Sequence, residues 1–219
     1  TVPEPLRPFL RRHQRIGYGA LFAASAGAIK TLAVDPRHIG GDVPGFFGVL
    51  HTWGRTLQYH PHIHYVVVGG ALSSADGRWH PARPGFYLPV RALSRIVRAK
   101  FRDQIDKHGL LGDIPPEVWA VEWNVNCQPA GDGSGALQYL APYVFKVAIG
   151  EHRILAVDAD HVRFRYQKPH SNRVRTMTLP IMEFMRRFLQ HVLPRGFMKV
   201  RYYGFLSPSA SVPLEDVKA

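Results

Sequence analysis

Apolar residues recur every three or four positions through residues 88–108, where Val90, Leu93, Ile96, Val97, Phe101 and Ile105 fall on one side of a helix. Arg91, Arg95, Arg98, Arg102 and Lys107 take the other side, so the spacing predicts an amphipathic helix with a basic stripe. Residues 6–29 predict one or two more helices, with Arg7, Arg11, Arg12 and Arg15 ahead of an Ala-rich packing segment. Elsewhere the period shortens to two. Residues 48–68 alternate or run apolar and are interrupted at Pro61, which suits a strand start or edge. Trp119, Val121, Trp123 and Val125 alternate with Ala120, Glu122, Asn124 and Asn126, which predicts a half-buried strand. Val162, Phe164 and Tyr166 alternate with Arg163, Arg165 and Gln167, and a second strand over 174–179 follows Pro169-His170-Ser171-Asn172. That pattern predicts a hairpin, to which Arg163, Arg165, Arg173 and Arg175 would give a basic surface.

Punctuation completes the outline. Gly and Pro mark loops over 35–48 and 128–135, and Gly69-Gly70 with residues 73–77 supply turn chemistry. Residues 136–149 read as an apolar helix with Pro142 inside it; Pro180 opens another helix over 181–192, stopped at Pro194-Arg195-Gly196, and 199–205 predicts a last strand. The fold class expected is α+β, a central antiparallel sheet with helices packed on it. Residues 1–47 form an N-terminal helical and loop segment, 48–206 the main domain and 207–219 a tail expected to be flexible.

At 219 residues the chain can bury one substantial core. Lys and Arg total 28 against 16 acidic residues, a net charge of +12, and Arg dominates. Guanidinium donates paired hydrogen bonds to phosphate, so nucleic acid is the expected partner. Cys127 is the single cysteine, which excludes an intramolecular disulfide and a cysteine-based zinc site within this chain and fits a reducing, cytoplasmic setting. The sequence holds no run of 18 apolar residues, so no membrane partner is expected. The chain begins at Thr1 rather than Met and is expected to be a piece of something longer.

Candidate chemistry lies in His60-Pro61-His62-Ile63-His64. In a strand the three imidazoles project to one face. Twelve histidines would give a three-fold alternation only about 0.04 times by chance, and such a row suggests a metal. His62 and His64 lead as ligands. The third is left open among His60, Gln58 and Gln138, while His51 reads as a packed or hydrogen-bonded residue beside Trp53. Tyr139 and Tyr143, four apart, share one helix face. On their own they read as core aromatics; beside a metal that polarises a substrate, a phenol can act as a nucleophile.

His62-Ile63-His64 followed by Tyr65-Val66-Val67-Val68 resembles the His-hydrophobe-His motif of HUH endonucleases, and Tyr139-x-x-x-Tyr143 looks like the paired nucleophiles of their two-tyrosine members. Leu50-His51-Thr52-Trp53-Gly54, Val147-Ala148-Ile149, Phe184-Met185-Arg186-Arg187-Phe188 and His191-Val192-Leu193-Pro194-Arg195-Gly196-Phe197 are similar to rolling-circle transposases of the insertion-sequence ninety-one type. The resemblance covers about residues 6–204. It implies an HUH-type nuclease/transposase domain in which His62 and His64, with His60 as a further candidate, ligate Mg²⁺ or Mn²⁺. Tyr139 or Tyr143 would attack single-stranded DNA at mobile-element ends and leave a 5′-phosphotyrosine link. It also implies a nucleoid-associated protein whose relatives carry an N-terminal Cys-rich zinc region, missing here, and commonly Arg at the position of Pro142. The oligomeric state stays open. A DNA-binding domain that has lost its chemistry, by decay or truncation, is the alternative; a metal-dependent hydrolase on a barrel is disfavoured because strands and helices do not alternate regularly.

Overall fold

The computed structural model describes residues 1–85, 87–145, 148–167, 171, 173–212 and 217, apart from the side chains of residues 139 and 142–145. In chain order the elements are α1 (Arg7–Arg12), α2 (Gln14–Ala33), β1 (Val43–Trp53), β2 (Tyr59–Leu72), β3 (Trp79–Pro81), α3 (Val90–Asp106), α4 (Glu117–Ala120), α5 (Ser134–Phe145), β4 (Ile154–Val157), β5 (His161–Gln167), β6 (Val174–Pro180), α6 (Ile181–Leu189) and β7 (Val200–Tyr203). The helix predicted over 88–108 is α3, and Leu93, Val97, Phe101 and Ile105 are its buried positions, as the spacing requires. It packs against α2. By length and composition alone α2 could cross a membrane, yet its apolar side chains have another partner, the main core.

Two antiparallel sheets form. The first has the order β3-β2-β1-β7 and the second β4-β5-β6, so the predicted hairpin does not extend the central sheet but builds its own. In the first sheet Phe46 pairs with Val67, Gly48 with Tyr65 and Leu50 with Ile63, and this face meets α2 and α3 in the main core. Gly48 leaves room for the Tyr65 ring, which a Cβ at that position would strike at 2.5 Å. The intervening residues Phe47, Val49 and His51 point to the opposite face, with Val66, His64 and His62 as their partners. The second sheet buries Phe164 and Leu179 in a smaller core with Leu57, Ala148 and Ile149, capped by Phe184 and Phe188 of α6.

The tip of the β1–β2 turn joins the two sheets. Leu57 has no exposed surface and adopts φ +61°, a left-handed conformation that costs a side chain about 1–2 kcal/mol. It is held by the second core and by polar contacts to the turn's carbonyls: Arg187 Nη1 donates to Thr56 O at 3.1 Å and His191 Nε2 to Leu57 O at 3.0 Å. Arg153 Nη2 donates to Arg55 O at 2.8 Å, and Arg55 Nη1 to Gln167 O of β5 at 3.0 Å.

The strand predicted over 119–126 does not form. Pro116 immediately precedes the short helix α4, and residues 121–130 take no regular structure. Their carbonyls are claimed by side chains instead of a ladder: Ser94 Oγ donates to Trp123 O at 2.6 Å, and Arg98 Nη1 to Val121 O at 2.8 Å. The two-residue alternation of bulky groups arises because Trp119 and Trp123 stack on each other, 6.5 Å apart, against Phe101. β1 also starts at Val43, inside the span predicted as loop, and Gly69-Gly70 lies within β2 rather than in a turn.

Candidate functional site

β2 places His60, His62 and His64 on one face by simple alternation, and β1 supplies a fourth imidazole, since His51 stands directly opposite His62. The ring centroids are 5.2 Å apart for His51 and His62, 4.5 Å for His51 and His64, and 4.8 Å for His62 and His64. One nitrogen from each of these three rings lies within 4.8 Å of the others. Among the described residues this is the group with the ligand atoms a metal ion needs.

The remaining hydrogen bonds set how these rings can act. His62 Nδ1 donates to the carbonyl oxygen of His60 at 2.6 Å, which leaves Nε2 as the lone-pair nitrogen. His60 is 5.2 Å from His62, but its Nδ1 accepts from Arg7 Nη2 at 2.9 Å, so the ring is tied to α1. Burial favours the neutral form throughout: His51 is pushed down to about 2, with like charge on His64 and His62 adding to desolvation, and His62 to about 3. Desolvation also lowers His64 and His60. Neutral imidazoles are the form that ligates a metal. The donor set fits a divalent ion of borderline softness: nitrogen ligands, one buried and two half-buried, with one tautomer already fixed.

His51 is the residue that sequence reasoning missed. It is 3 % exposed and stacked on Trp53 at 5.3 Å, so it does pack beside Trp53 as expected, but it also belongs to the imidazole cluster. Its membership depends on the register of β1 on β2, which no spacing within one strand reveals. Gln58 and Gln138 are exposed.

The helix α5 carries Tyr139 and Tyr143 and packs against β1, the strand that bears His51. The helix begins at Ser134 and spans Pro142. The side chains of both tyrosines lie outside the described residues. Leu140, between them, is buried. The hairpin arginines divide by register. Arg163 and Arg165 lie on the outer face of β5 opposite Thr178 and Thr176, whereas Arg175 lies opposite Tyr166, on the face that carries Phe164. Arg173 precedes β6 and is exposed. Residues 168–170 and 172 of the expected turn lie outside the described residues. A cavity of about 1140 Å³ runs beside the cluster, lined by His62, His64, Phe47 and Val66, by the segment around Asn124 and Asn126, and by Leu137 of α5.

Residues 45–212 match the family model Y2_Tnp, described as "Putative transposase". The chain is 39% identical over 226 residues to "Putative transposase y4qJ" of Sinorhizobium fredii (strain NBRC 101917 / NGR234), covering 94% of this chain and 56% of that protein. It is 28% identical over 231 residues to the "Transposase for insertion sequence element IS801" of Pseudomonas savastanoi pv. phaseolicola, covering 94% of this chain and 53% of that protein. The chain thus spans about half the length of these curated relatives. No solved structure matches.

Proposed function

This chain belongs to the "Putative transposase" family, and from that premise we propose that it cleaves and rejoins single-stranded DNA at the ends of a mobile element, as a two-tyrosine HUH domain of the insertion-sequence ninety-one type. The observation that carries the reading is the three-imidazole cluster on the β1–β2 hairpin with the two-tyrosine helix packed against the same hairpin. His51, His62 and His64 would hold the divalent ion. Three imidazole nitrogens suit Mn²⁺ better than Mg²⁺, although Mg²⁺ is the commoner ion. Bound there, the ion would supply Lewis acidity at the scissile phosphate.

The chain's own residues do the rest. The hydroxyl of Tyr139 or Tyr143 attacks phosphorus while the bond from phosphorus to the 3′ oxygen breaks. The proton lost by the phenol is balanced by one gained at the 3′-hydroxyl, and the strand is left as a 5′-phosphotyrosine. With a second tyrosine four residues away, one can keep a cleaved strand while the other cuts again, so strands exchange without hydrolysis. The net charge of +12 supports an anionic polymer as substrate.

The test is incubation with labelled single-stranded DNA carrying element ends, with Mn²⁺ or with chelator, followed by denaturing electrophoresis. A metal-dependent adduct that vanishes when both Tyr139→Phe and Tyr143→Phe are present is expected. An adduct that persists in the double variant sinks the assignment. Salt-sensitive binding with no adduct, on DNA that an intact relative cleaves, identifies instead a domain that grips DNA without cutting it.

A further inference from the structure

The β1–β7 pairing places two aromatic couples on opposite faces of the first sheet. Phe46 and Tyr203 are directly opposite and stack in the main core, centroids 4.8 Å apart and 19° from parallel. Phe47 and Tyr202, the next pair along, lie on the other face at 5.7 Å and 36°. Tyr202 is 50% exposed there and Phe47 is half-buried. The first couple has an evident role in burial. The second is spread open on the face that bears the imidazoles.

Its position relative to the cluster follows from register. Phe47 pairs with Val66 and Val49 with His64, so the aromatic row is one two-residue step along the strands from the His64 row, about 7 Å. That is about twice the 3.4 Å per-nucleotide rise of a stacked strand. Phe47, Val66, His62 and His64 also line one continuous cavity, whose lining is mostly apolar, with Arg83, Asp132 and the amino terminus of Thr1 among its charged members. A largely apolar lining suits the flat face of a base, which gains from leaving water, better than a phosphate, which loses its hydration.

We infer that Tyr202 and Phe47 form a stacking platform for an unpaired nucleobase of the DNA strand, holding the strand so that a phosphate one or two nucleotides away meets the imidazole cluster. The inference rests on the proposed DNA substrate. Every base has a π-face, so the platform grips single-stranded DNA with little regard for sequence and rejects a duplex, whose bases are already stacked. Tyr202 is a positioning residue: it fixes the strand and takes no part in the bond changes.

The experiment compares binding of the 219-residue chain, in chelator, to a fluorescent oligonucleotide with normal bases and to an abasic backbone of the same length. The unsubstituted chain is expected to prefer the base-bearing strand. Tyr202→Ala should weaken binding of that strand by about fivefold to a hundredfold and leave the abasic strand unchanged, while Tyr202→Phe, which keeps the ring, should retain the preference. Phe47→Leu, which keeps apolar bulk, should lose part of it. Equal loss on both strands, or no loss on either, overturns the platform while leaving DNA as the substrate. Failure of the unsubstituted chain to bind either strand overturns the DNA reading, and the platform with it.

Discussion

At the scale of single residues the decisive groups are the imidazoles that the fold keeps neutral. His51 and His62 stay unprotonated in the folded chain down to about pH 2 and 3, whereas in the unfolded chain each takes a proton near pH 6.5. The unfolded state therefore binds more protons as pH falls below about 6.5. Stability is full above that pH and is lost progressively as pH drops toward 3. Each ring should remove about 1.3 kcal/mol between pH 7.5 and 5.5, so the urea midpoint in chelator should fall by an amount worth roughly 2–3 kcal/mol. An unchanged midpoint would mean that the rings are not buried as described. The row His60, His62, His64 was legible from alternation alone. His51 was not, because its place in the cluster depends on a cross-strand register that neither strand encodes by itself.

At the scale of elements the β1–β2 turn does more than reverse the chain. Leu57 inserts into the second core while its backbone sits at positive φ, and the two effects can be separated. Leu57→Ala should cost about 2–5 kcal/mol through lost burial. Leu57→Gly loses the same burial but relieves the left-handed backbone, so it should be the more stable of the two by about 1 kcal/mol, the reverse of the usual order. Urea unfolding of both variants decides it; if the alanine variant is more stable, the turn is not strained. Helix α3 and strand β5 were readable because their burial follows the period of their own elements, whereas α2, buried on nearly every side, was readable from its Ala-rich run. Residues 119–126 misled because two tryptophans stacked against α3 mimic the alternation of a strand, and the carbonyls that would have made a ladder are bonded by Ser94 and Arg98.

At the scale of the molecule the sequence announced a basic α+β chain but not its division into two sheets, since nothing in the pattern of a strand says which sheet it joins. That division moves the hairpin arginines off the imidazole-bearing sheet and splits them between faces, with Arg163 and Arg165 together on the outer one. If that face carries DNA, replacing both with Gln should weaken binding at low salt. It should also reduce the slope of log affinity against log salt by about 1.4, two single-strand phosphate contacts. An unchanged slope would take the outer face of β5 out of the DNA path.

All three clustered imidazoles belong to one hairpin, and this bears on how the chain acquires its shape. His51 meets His62 and His64 across a single short turn, so the cluster closes with the hairpin itself, an event of about 1–10 μs in small systems. β7 and the tyrosine-bearing helix come from much farther along the chain and must wait for slower long-range loop closure. The imidazole cluster is therefore a local product of folding, assembled early by near neighbours, and the tyrosine-bearing helix is the later arrival against the same hairpin.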